Sequence, residues 1–60
     1  MSVKDLFFVT GSDTTVEIYD SDALLWYGNV DEIDFVYNVP CGDYEVNNIS
    51  VAWNVLQIHI

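Results

Sequence analysis

The chain has 60 residues and 6.8 kDa, with ten acidic residues against one lysine and no arginine, a formal charge of −9. That balance repels nucleic-acid phosphate and anionic membrane surfaces and attracts basic protein surfaces, so it disfavours direct nucleic-acid or membrane binding. The length allows one domain, residues 1–60, small enough to bury only about 60% of the surface its unfolded chain exposes.

Small domains make up that deficit with disulfides, metals or oligomerisation. Cys41 is the lone cysteine, which rules out a disulfide within one chain. Cys41 and His59 are the only soft metal ligands, too few for a structural zinc site. Oligomerisation remains. The chain is 52% apolar and 15% aromatic, more than a small core absorbs, which predicts a homodimer or a higher oligomer. The same richness excludes a disordered acidic tail. A single cysteine suits a reducing compartment. Met1-Ser2-Val3-Lys4-Asp5 lacks the basic region and apolar stretch of a secretory signal, and no run approaches the roughly 18 apolar residues of a membrane span. The expectation is a soluble cytoplasmic protein.

Ser2-Val3-Lys4-Asp5 resembles a capping box, and Val3, Leu6 and Phe7 then share one helical face. Thr10-Gly11 supplies a stop, with Gly11 offered for a left-handed residue. Thr14 to Tyr19 reads as a strand with Val16 and Ile18 on one face and Glu17 and Tyr19 on the other. Asp20-Ser21-Asp22 is a turn. Ala23 to Val30 is a second strand, with Leu24, Trp26 and Val30 on one face and Leu25 and Tyr27 on the other. It is apolar on both faces, so one face is core and the other needs a second surface.

Between Val30 and Pro40, Ile33, Phe35, Tyr37 and Val39 alternate as in a strand, while Asp31, Glu32 and Asp34 suit a helix N-terminus. The reading is a short helical turn ending before Pro40. Cys41-Gly42-Asp43 is a turn. Tyr44 to Ala52 is a third strand, bulged near Asn47-Asn48 where Val46 and Ile49 break the alternation. Trp53-Asn54 is a tight turn. Val55 to Ile60 closes the sheet, with Leu56, Ile58 and Ile60 inward and Val55, Gln57 and His59 outward. The predicted fold class is mainly β, a β-rich α+β domain: about four antiparallel strands in a small meander or open barrel, with a short N-terminal helix.

No catalytic motif is present, and the chain reads as a non-enzyme. Asp20-x-Asp22 starts like a calcium loop, but Leu25 stands where an EF-hand needs Gly. Cys41 reads as a small filler and His59 as a surface residue. No cofactor or metal is called for. The candidate partner-binding rim is Asp20, Asp22, Asp31, Glu32 and Asp34; if their connections share one end of the sheet, they form a negative surface that mimics nucleic-acid phosphates. The plainer reading is that these carboxylates keep an apolar dimer soluble. Tyr19, Leu25 and Tyr27 are the candidates for self-association through the second apolar face, since aromatic residues are enriched at interfaces.

Val3-Lys4-Asp5-Leu6, Thr15-Val16-Glu17-Ile18-Tyr19-Asp20, Leu24-Leu25-Trp26-Tyr27-Gly28, Tyr44-Glu45-Val46 and Val55-Leu56-Gln57-Ile58-His59-Ile60 together resemble small acidic proteins of phages and prophages of Gram-positive bacteria. The likeness is one of pattern, and Ile33 to Cys41 departs from it. It implies a context, in which such proteins bind and inhibit a host protein, including components of antiviral defence. It carries over no functional residue. The expected function is a non-catalytic inhibitor or adaptor that blocks a basic host protein in the host cytoplasm. The alternatives are a structural or assembly component of a larger particle and an oligomeric ligand-sequestering protein.

Overall fold

The computed structural model describes residues 1–33 and 39–60. The α-helix among these residues, α1 (Val3–Phe8), begins at a reciprocal capping box. The Ser2 hydroxyl accepts from the Asp5 N–H at 3.2 Å, and the Asp5 carboxylate accepts from the Ser2 N–H at 3.5 Å. A helix of six residues is too short to stand alone, and it is held by burying Val3, Leu6 and Phe7. It ends without a left-handed glycine, because no described glycine has a positive φ. Instead the Val9 N–H donates to the Leu6 carbonyl, the Thr10 N–H to that of Phe7, and the Thr10 hydroxyl to that of Leu6 at 2.7 Å.

Four strands follow: β1 (Thr15–Asp20), β2 (Ala23–Asn29), β3 (Asn48–Ala52) and β4 (Val55–His59). Among the described residues they form one open sheet in the order β2-β1-β4-β3. The protein is thus mainly β with a short N-terminal helix. The sheet is mixed: two antiparallel hairpins lie side by side and meet through a parallel β1–β4 pair. The last strand therefore sits inside the sheet, and among the described residues β2 and β3 are its edges. The Ile60 N–H extends the parallel pair by donating to the Tyr19 carbonyl at 2.9 Å.

The alternation of β1 and β4 explains their central place. Val16 and Ile18 on β1 and Ile58 on β4 turn to the helix and are sealed from solvent. With Val3, Leu6, Phe7 and Val30 they make the core. Trp26 packs beside it, its ring edge-on to Phe7 at 6.2 Å between centroids. Gly28 gives that indole room, since a Cβ there would come within 2.9 Å of the Trp26 ring.

Local pattern misplaces two features. The ladder between β1 and β2 slips where Ile18 faces Trp26 and Tyr19 faces Leu24. Leu25 is the extra residue of a β-bulge, so Leu24 shares the face of Tyr19 rather than that of Trp26. The strand expected from Tyr44 starts only at Asn48. Residues before it pair with the N-terminus instead: the Val3 N–H donates to the Tyr44 carbonyl, and the Val46 N–H to that of Met1, both at 2.9 Å. The short helical turn expected after β2 is present as a 3-10 turn, Val30–Glu32, with Ile33 already extended; residues 34–38 of that stretch fall outside the described residues.

The turn at Trp53-Asn54 forms as expected. Both residues have positive φ, 55° and 61°, as a type I′ hairpin turn requires. In the turn around Cys41-Gly42-Asp43 the left-handed residue is Cys41, at φ 54°, and not the glycine.

Candidate functional site

The acidic candidates divide between two ends of the sheet. Asp20 and Asp22 flank the turn that joins β1 to β2. Asp31 and Glu32 follow β2, where Thr15 pairs with Asn29 at the opposite end of the hairpin. The Val30 N–H donates to the Thr14 carbonyl, and the Asp31 N–H to that of Ser12 at 2.9 Å, which fixes Asp31 beside the loop carrying Asp13. β1 lies between the two pairs, and six extended residues span about 16 Å. A single negative rim is therefore not built. The antiparallel hairpin forces this, because a connection before β1 and one after β2 meet at one end while the β1–β2 turn lies at the other. Asp34 lies outside the described residues.

All four described candidates are exposed. The Glu32 carboxylate accepts from the Asn29 N–H at 3.2 Å, capping the 3-10 turn. Among the described residues the ion pair is between the N-terminal ammonium and Glu45, at 3.0 Å and well exposed on both sides. The remaining described carboxylates are not neutralised by ion pairs, so their field is directed outwards.

The sheet face away from α1 is apolar on the β2 side, where Leu24 and Tyr27 are exposed beside Tyr19 and Glu17, and polar across β1, β4 and β3. β1 offers Thr15, Glu17 and Tyr19 there, and β4 offers Gln57 and His59. Thr15 donates to the Asn29 side-chain carbonyl, and the others interact with one another. Glu17 accepts from the Tyr19 hydroxyl at 3.1 Å and from the Gln57 amide at 3.2 Å. Ser50 on β3 donates to the Gln57 carbonyl oxygen at 3.0 Å. The Tyr19 and His59 rings stack at 5.5 Å. Burial, then the hydrogen bond and charge of Glu17, raise the Tyr19 hydroxyl above its ordinary pKa. Of the three self-association candidates, Tyr19 is half-buried in this layer, and Leu25 and Tyr27 are exposed on the β2 edge. Pattern reading missed the layer because Glu17, Gln57 and Ser50 lie on three separate strands.

Cys41 is half-buried, and burial together with the charge of Asp20 pushes its thiol up. That is the reverse of what an activated nucleophile needs. Among the described residues no three His, Cys, Asp or Glu side chains converge as a metal site would require. Among them, too, no helix is long and apolar enough to cross a membrane. No protein-family model, curated protein or solved structure matches the chain.

Proposed function

We propose that this chain is a non-catalytic acidic binding protein that docks on a basic surface of another protein. The supporting observation is the carboxylate arrangement: two exposed acidic pairs, Asp20 with Asp22 and Asp31 with Glu32, stand at opposite ends of one hairpin, with no basic side chain paired to them among the described residues. Such charges raise the rate of encounter with a basic partner and set its orientation. The resemblance to small acidic phage proteins makes an inhibitor or adaptor of a host nucleic-acid-binding or defence protein the specific form of this reading, acting in the host cytoplasm. In that form, two separated acidic pairs engage two basic patches, rather than one continuous rim filling one groove.

The test is capture from bacterial lysate by the immobilised chain at low and high salt. Wild type is compared with Asp20→Asn/Asp22→Asn and Asp31→Asn/Glu32→Gln. One basic protein retained at low salt, released at high salt and held several-fold less by each double variant supports the reading. Capture indifferent to salt and to both variants contradicts it. The alternative of an assembly component draws on a different observation, the two open edges of the sheet.

A further inference from the structure

Charge is unevenly placed along this chain. All ten acidic residues and the lysine lie within residues 1–45, and Val46 to Ile60 contains no Asp, Glu, Lys or Arg. That neutral segment carries the β3–β4 hairpin, and β3 is an edge of the sheet among the described residues. Exposed edges are usually blunted by charge, proline or a bulge, because their unpaired N–H and C=O groups template another strand. Asn48-Ile49-Ser50-Val51-Ala52 carries no charge and no proline, and its ladder with β4 runs without a slip from Asn48 on. The irregularity lies just before it, where the Asn47 N–H donates to the carbonyl of His59, the partner of Asn48, at 2.7 Å.

The turn fixes which backbone groups are free. A two-residue hairpin loop makes Ala52 and Val55 a hydrogen-bonded pair, so Ser50 and Asn48 also bond inward to β4. The N–H and C=O of Ile49 and Val51 consequently face outwards. Their side chains share the core side of the sheet with Ile58 and Leu56, yet they are 49% and 72% exposed.

We propose that β3 pairs with β3 of a second copy, antiparallel about a two-fold axis at Ser50. In this register Ile49 of each copy faces Val51 of the other, and the outward N–H and C=O groups of both residues are satisfied. Ser50 faces its own symmetry mate, and the two four-stranded sheets become continuous. Ile49 and Val51 of both copies form one apolar cluster beside the core, the cross-strand contact that stabilises sheets.

The occupant follows from charge. A second copy is itself at −9, and β3 is the edge it can approach without acid meeting acid. The β2 edge is the opposite case. Antiparallel pairing of two β2 strands would set Asp20 and Asp22 of one copy against Asp31 and Glu32 of the other, and β2 is bulged at Leu25. Self-association thus belongs to β3, and not to the face and edge marked by Tyr19, Leu25 and Tyr27.

Sedimentation equilibrium from micromolar to millimolar concentration tests this. Wild type should rise to twice the chain mass, and added salt should strengthen the dimer by screening repulsion between copies, opposite to its effect on a basic partner. Val51→Lys should hold the chain at its own mass with an unchanged circular dichroism spectrum, while Leu25→Lys should dimerise as wild type does. Ser50→Cys in a Cys41→Ser background should oxidise to a linked dimer, a readout that does not depend on Val51→Lys folding. A wild type at single-chain mass throughout would overturn the proposal. So would a dimer broken by Leu25→Lys but not by Val51→Lys, or one whose Ser50→Cys variant fails to cross-link.

Discussion

Ile58 and Ile49 are cross-strand partners on the same side of one sheet, yet Ile58 is fully sealed and Ile49 is 49% exposed. The difference is what stands above them. A helix is about 10 Å across and strands lie about 4.8 Å apart, so one helix covers about two strands. Here Val16 and Ile18 of β1 and Ile58 of β4 are buried with Val3, Leu6 and Phe7, while Trp26 of β2 meets Phe7 at the margin and Ile33, Val39, Cys41 and Val46 pack beside them. β3 keeps the alternation of a core strand without the cover. The contrast teaches that in so small a domain apolar pattern identifies the core side of a strand, while the cover given by the short helix and the segments packed beside it decides which strands become core.

The sharpest way to break the contrast is to remove the cover. Phe7, 1% exposed, is the largest side chain the helix contributes to the core. Phe7→Ala should cost about 3–5 kcal/mol, comparable to the whole stability of a domain this size, and urea denaturation should find the variant largely unfolded. The paired isoleucines come next. Ile58→Ala should lose about 2–5 kcal/mol, whereas Ile49→Ala should lose less than about 1 kcal/mol in dilute solution. If Ile49 packs against a second copy, its cost should grow as the protein is concentrated.

The smallest effect concerns pH. An unfolded thiol ionises from about 8.5, and Cys41 in the fold ionises later because burial and Asp20 disfavour the thiolate. The unfolded chain therefore loses its proton first. Stability contributed by the buried thiol is complete below that value and is lost as pH rises towards the folded pKa. Melting temperature should fall across mildly alkaline pH, and less so in Cys41→Ser. Iodoacetamide should react with the native chain more slowly than with the urea-unfolded chain.

Features set by near neighbours were legible in the residues. Ser2 and Asp5 announce the helix start, Val16 and Ile18 the inner face of β1, and Trp53-Asn54 the hairpin turn. Features set by distant partners were not. The bulge at Leu25 arises from pairing with Ile18 and Tyr19, and the short β3 from competition by the N-terminus for residues 44–46. Parallel pairing of β1 with β4 joins segments roughly forty residues apart, and no local period encodes it. The acidic candidates were legible as residues but not as a surface, because their grouping depends on which end of the hairpin each connection occupies.

The most direct measurement is residue-resolved amide exchange along both sheet edges as the protein is concentrated. The N–H groups of Ile49 and Val51 face outwards in a single copy, so they should exchange fast when dilute and gain protection with concentration, while those of β2 stay unchanged. Equal exchange at Ile49 and Val51 across all concentrations, or protection gained at β2 instead, would contradict the division of the molecule into an acidic part that meets other proteins and a neutral edge that meets its own kind.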